Sequence, residues 1–181
     1  MTEAVRERVF IALWPSPKDA ARMMPWVQAA HARCGGRPMA QDTLHLTLAF
    51  LGGVPAETLA ELCRRLPQWP APVGELELAC FGRFEGPRIV WAGLRDGGPP
   101  WLHQLHQSLW QRLGPMGFRP DHAVFRPHVS LLRRAGPQDI DILHMPPLRW
   151  RPAACRLVAS RPSEHASRYR TLADMPLVQA G

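Results

Sequence analysis

One four-residue pattern, histidine, apolar, hydroxyl, apolar, occurs twice in this chain of 181 residues. It stands as His45-Leu46-Thr47-Leu48 and again as His128-Val129-Ser130-Leu131. Each copy lies in a run that reads as a β-strand, near the middle of its half of the chain. Successive side chains of a strand point to opposite faces, so His45 shares a face with Thr47 while Leu44, Leu46 and Leu48 share the other. The same parity sets His128 with Ser130, backed by Val129 and Leu131. Each strand must bury one face and present an imidazole beside a hydroxyl on its other face. Two such strands facing each other place two imidazoles across a cleft, which is what acid–base chemistry on one substrate needs.

The punctuation around the motifs gives the organisation. Val5 to Trp14 reads as a buried strand, followed by an N-cap and first-turn proline at Ser16-Pro17. A helix should run to about Ala32 and stop near Gly35-Gly36, with Pro25 kinking or dividing it. The first motif strand spans roughly Thr43 to Leu51 and ends at Gly52-Gly53; a second helix follows Pro55 and stops before Pro67. Glu75 to Arg83 and Arg88 to Leu94 read as a hairpin around Glu85-Gly86-Pro87. Pro99-Pro100 opens a third helix with Leu102, Leu105, Leu109 and Leu113 at helical spacing. A short helix over Pro137 to His144 and strands near Ala154 to Ser160 and Tyr169 to Ala173 complete the second half. The expected fold is α+β: a single domain over residues 1–181, with two related lobes of mainly antiparallel sheet, helices outside and one central cleft.

The N-terminus carries charges where a signal peptide would be apolar, and no stretch has the length of a transmembrane helix, so a cytoplasmic protein is expected. Cys34, Cys63, Cys80 and Cys155 are scattered without metal-ligand spacing and read as reduced structural thiols. Basic residues outnumber acidic ones 22 to 15, a net charge of +7, and Lys18 is the only lysine. Arginine's planar fork suits phosphate oxygens and stacks on bases, which fits RNA. A GC-rich genome would write the same arginines, so charge alone leaves both accounts open.

With these residues in view, the chain resembles the 2H (two-histidine) phosphoesterase superfamily, and within it the RNA 2′,3′-cyclic phosphodiesterases, also called 2′-5′ RNA ligases. The two H-x-[ST]-x motifs carry the resemblance, supported by RVFIALWPS, LHLTLAFLG, GPRIVWAGL, FRPHVSLLRR and YRTLADMPL in order along the chain. The resemblance implies hydrolysis of a 2′,3′-cyclic phosphate at an RNA 3′ end to a 2′-phosphomonoester, with no cofactor and no metal ion. His45 would be the proton donor and His128 the proton acceptor, with Thr47 and Ser130 hydrogen-bonding the non-bridging oxygens. Arg133 would also contact the phosphate. Regular strand parity points Arg133 to the opposite face, so it reaches the cleft only if the strand ends or bulges near Leu132; Arg134 is the alternative.

Arg37, Arg83, Arg88 and Arg126 either line the cleft or are solvated. Phe10, Phe50, Phe84, Trp91 and Tyr169 could stack on a base, though core packing is the commoner job of such residues. His31, His122, His144 and His165 read as structural, and His103 with His106 as a polar helix stripe. The expected partner is RNA with a cyclic phosphate end, or a cyclic nucleotide, met by a monomer away from membranes. Two other functions stay open at this level: joining RNA halves through a 2′-5′ linkage, and binding RNA or nucleotides without catalysis.

Overall fold

The computed structural model describes residues 6–122, 124–161 and 168–181; Val5 and His165 fall outside them. The strands are β1 (Arg6–Pro15), β2 (Arg37–Pro38), β3 (Leu46–Pro55), β4 (Ala71–Val73), β5 (Leu76–Phe84), β6 (Ile89–Leu94), β7 (His128–Arg133), β8 (Leu148–Trp150), β9 (Pro152–Arg161), β10 (Arg168–Met175) and β11 (Leu177–Gln179). Three α-helices accompany them: α1 (Pro17–Cys34), α2 (Ala56–Arg65) and α3 (Pro100–Leu113). The principal sheet is antiparallel with the order β10-β9-β1-β3-β7-β6-β5-β8, and β2 also pairs with β7. It falls into two groups of four that meet at β3 and β7, which share one registered pair, Leu46 with Val129.

Both residues of that pair are fully buried, because the apolar face of each motif strand turns into the main core. A small second cluster of Phe10, Ala12, Trp14 and Val158 lies apart from it, with Phe50 and Tyr169 against it. Along β1, Val9, Ile11 and Leu13 join the main core while Phe10, Ala12 and Trp14 join the smaller cluster, the alternation a strand imposes.

The helices do not stay with their own half of the sequence. Helix α1 packs against β7 and β8 as well as β1, while α3 packs against β3 and β4. Strands β9 and β10, from the C-terminal end, complete the sheet beside β1. No helix among the described residues is long and apolar enough to cross a membrane.

Ser16 caps α1 by accepting from the Asp19 N–H at 3.0 Å, and Pro17 opens it. Pro25 does not divide this helix. Pro25 and Ala21, the residue whose carbonyl loses its partner, both face solvent, where water replaces the missing bond. Strand β3 runs through Gly52-Gly53 to Pro55 instead of stopping there, because Gly52 adopts φ +68° and lets the strand bend while it stays paired with β1.

The short helix expected over Pro137 to His144 does not form. Its carbonyls are taken from outside: Arg83 donates to the Gly136 and Gln138 carbonyls, and Arg33 Nε donates to the Asp139 carbonyl at 2.7 Å. Within the segment, Asp139 Oδ1 accepts from the Asp141 N–H at 2.9 Å, a local turn that competes with helix.

Candidate active site

Antiparallel register about Leu46 and Val129 sets His45 across from Ser130 and Thr47 across from His128, all four on the face away from the main core. The two histidines are then diagonal neighbours, with a spacing of about 7–8 Å, enough to hold a phosphoryl group between them. Each imidazole is pinned the same way. The Nδ1–H of His45 donates to the Thr43 carbonyl at 2.7 Å, and that of His128 donates to the Arg126 carbonyl at 2.6 Å. A backbone carbonyl only accepts, so Nδ1 keeps its proton and Nε2 is left for the cleft.

Aromatic rings back each histidine. Phe10 and Trp14 lie 4.9 Å and 4.7 Å from the His45 ring, nearly parallel to it. They are 6.0 Å from each other, too close to sit on opposite faces, so they form one floor beneath His45. Tyr169 meets His45 edge-on at 5.5 Å. The Trp14 Nε1–H donates to the Asp42 carbonyl at 3.3 Å and fixes that floor. On the other side Phe84 and Trp91 approach His128 at 4.9 Å and 5.8 Å. Trp91 lies flat over Gly82, where an added Cβ would come within 2.1 Å of its ring.

This packing acts on the proton affinities. Desolvation, with the nearby charges of Arg133 and His128, pulls the His45 pKa down to about 4 against the opposing hydrogen bond to Thr43. Desolvation also lowers that of His128, opposed by its bond to the Arg126 carbonyl.

The bulges decide where the sixth residue from each motif histidine points. Opposite β6, Val90 pairs with Leu132 and Trp91 with Ser130, so Leu131 is the extra residue. Opposite β1, Ile11 pairs with Ala49 and Ala12 with Thr47, so Leu48 is the extra residue. Two consecutive buried residues follow each hydroxyl, Leu48-Ala49 and Leu131-Leu132. The parity shift turns Phe50 and Arg133 onto the face of the histidines. Arg133 therefore joins the site by the route that regular strand parity denies it. Its Nε–H is buried without a hydrogen-bond partner among the described residues.

A cavity of about 430 Å³ lies against this face, lined by Arg8, Phe10, Arg37, His45, Thr47, Phe50, Pro87, Ile89, Arg133, Arg134, Ser160 and Tyr169. His128 and Ser130 do not line it; they continue the same face beyond it, near enough for His128 to act on His45. Of the arginines named from sequence, Arg37 lines the cavity. Arg83 and Arg88 instead hold the carbonyls of the segment after β7, and Arg126 contributes its carbonyl to His128. Arg8 was overlooked, although it shares strand parity with Phe10 and the signal was there to read. His103 Nε2 bonds the Gly97 carbonyl, and His106 stacks on Phe125 at 3.9 Å while accepting from Trp110. No group of three or more His, Cys, Asp or Glu among the described residues is placed to share a metal ion.

The arrangement can hold a phosphate-like anion between two imidazoles, two hydroxyls and a guanidinium. Comparison with known proteins points the same way. A family profile described as the 2′-5′ RNA ligase superfamily matches residues 15–159, which include both motifs. The RNA 2′,3′-cyclic phosphodiesterase of Escherichia coli K12 is 33% identical over 180 residues, covering 96% of this chain and 98% of that protein. A protein of the same name from Archaeoglobus fulgidus is 28% identical over 141 residues, or 75% of this chain and 78% of its own. Among solved structures, E. coli LigT complexed with 3′-AMP superposes with a TM-score of 0.80 at 30% identity, covering 96% of this chain and 99% of that one.

Proposed function

The chain belongs to the 2′-5′ RNA ligase superfamily, and from that premise we propose that it is an RNA 2′,3′-cyclic phosphodiesterase that opens the terminal ring to a 2′-phosphomonoester. The observation that carries the reading is the pair of Nδ1-anchored histidines set diagonally about Leu46 and Val129 with a bulge-delivered arginine beside them.

In the proposed reaction water attacks phosphorus and gives a proton to Nε2 of His128. The P–O3′ bond breaks on the opposite side, and O3′ takes the proton held on Nε2 of His45. One group behind the nucleophile and one beside the leaving oxygen is the geometry an in-line displacement demands. Thr47 and Ser130 donate hydroxyl hydrogen bonds to the non-bridging oxygens, and Arg133 meets the growing negative charge with the fork its unpartnered Nε–H leaves available. Burial favours a neutral His45 in the empty cleft, so the bound anion supplies the negative charge that restores its proton. No step calls for a metal ion. The reading takes residues 1–181 as one domain acting as a cytoplasmic monomer.

Mutants and a leaving-group series test the assignment. Either His45→Ala or His128→Ala alone should collapse turnover, by about 10²–10⁴ for each lost proton transfer, and the double mutant should lose far less than the product. A substrate with a better leaving group should rescue His45→Ala and leave His128→Ala inactive. Rescue of His128→Ala instead would reverse the two roles. Supplying matched RNA halves tests ligation, in which an RNA 5′-hydroxyl replaces water as the nucleophile, O3′ leaves as before and the two imidazoles keep their roles.

A further inference from the structure

One phosphoryl group uses two imidazoles, two hydroxyls and Arg133, yet the cavity holds three more arginines, Arg8, Arg37 and Arg134. Elsewhere several arginines pair with carboxylates: Arg170 with Glu7, Arg156 with Asp174, Arg95 and Arg149 with Glu77, Arg64 and Arg65 with Glu61. Arg8 and Arg134 have no such partner among the described residues, and the cavity lining contains no carboxylate. The Arg8 guanidinium lies 4.8 Å over the Phe50 ring, exposed on its other side. Arg134 is exposed too, and its backbone is held in the left-handed region at φ +54°. That unfavourable conformation is fixed by Arg88, which donates to the Arg134 and Ala135 carbonyls and accepts from the Ala135 N–H.

Arg134 follows Arg133 past the end of β7, on the opposite side of the Leu46–Val129 pair from Arg8, and Arg8 is set apart from the reacting phosphate by its register. On β1, Ala12 pairs with Thr47, Phe10 with Phe50 and Arg8 with Gly53. Four strand residues separate Ala12 from Arg8, about 13 Å, with the Phe10–Phe50 pair in between. A charge at Arg8 is therefore placed for a group further along a bound chain than the one at Thr47.

We propose that Arg8, braced on Phe50, forms a second anion subsite that receives the phosphodiester on the 5′ side of the terminal nucleotide, so that the site selects an RNA end over a free cyclic mononucleotide. The proposal rests on the cyclic phosphodiesterase reading and adds the polymer to it. Salt-sensitive guanidinium contacts to an internal phosphate read chain length and carry no base sequence.

The test compares kcat/KM at low ionic strength for adenosine 2′,3′-cyclic phosphate, for the dinucleotide ApA ending in the same cyclic phosphate, and for that dinucleotide with a neutral methylphosphonate linkage. The dinucleotide should exceed the mononucleotide by about tenfold, the scale of one charge-assisted hydrogen bond. Its dependence on salt should be steeper by a log–log slope of about 0.7. The methylphosphonate should fall back to the mononucleotide rate. Arg8→Gln should shrink the ratio severalfold with melting temperature retained. Equal rates for dinucleotide and mononucleotide overturn the subsite, as does an advantage that survives the neutral linkage or the Arg8→Gln substitution. Hydrolysis of none of the three substrates would instead remove the phosphodiesterase reading itself.

Discussion

The histidine proposed to give up a proton is held where protons are disfavoured. Desolvation lowers both imidazoles below their ordinary value of 6.5, His45 to about 4. The productive free enzyme carries one proton on the pair, so kcat/KM should peak on the acid side of 6.5 and fall as pH rises past it. A bound anion raises both values, so the alkaline limb of kcat should lie at higher pH than that of kcat/KM. A pH–rate series on a cyclic nucleotide decides this, and an alkaline limb of kcat/KM above neutrality would contradict it. The same depression has a stability sign. Neutral His45 favours the fold above its unfolded value of 6.5, and that contribution is lost as pH falls toward 4, which urea titrations of wild type and His45→Gln would show. Thr47→Ala should cost at most about 10²–10³ in rate, the scale of one electrostatic donor, and less than loss of His45. A Thr47→Ala enzyme with unchanged rates would make the hydroxyl structural.

Among the elements, the motif strands, the capped α1 and the leucine stripe of α3 were legible because each follows from a local period or cap. The bulges were not. Nothing in Leu131-Leu132 announces that one residue will go unpaired opposite β6, yet that displacement decides whether Arg133 faces the site. The failed helix over 137–144 was illegible for the same reason: distant arginines, Arg33 and Arg83, claim its carbonyls. Gly36 shows how tightly that region is set. At φ +79° its absent Cβ would lie 2.8 Å from the Arg133 and Arg134 carbonyl oxygens. Gly36→Ala should cost about 1–3 kcal/mol in stability and lower kcat/KM by moving the end of β7. Gly35→Ala, with nothing within 4 Å but with φ +59° and ψ −141°, should cost about 1–3 kcal/mol from backbone strain alone and leave kcat/KM unchanged. Urea melts with kinetics separate the two, and full activity in Gly36→Ala would show that this end of β7 does not need to be held.

At the scale of the molecule, the two lobes are not the two halves of the sequence. The repeat was visible in the motifs, but strand order was not, since β9 reaches β1 across most of the chain and the helices cover the strands of the opposite half. Neither half can bury its own sheet, so thermal unfolding should be a single transition with calorimetric and van't Hoff enthalpies equal. A fragment of residues 1–98 should lack near-ultraviolet circular dichroism; a folded fragment would refute the interlocking. The pseudo-twofold about Leu46 and Val129 has one more consequence. Were the site truly symmetric, a nucleotide could dock either way round, and each histidine would serve half the time at each task. The sixth positions remove that freedom, since one side offers the flat ring of Phe50 and the other the cation of Arg133. Base and phosphate can find their preferred surfaces in only one orientation. In the proposed reaction the polarity is thus written outside the histidines, where two matching bulges deliver unlike side chains.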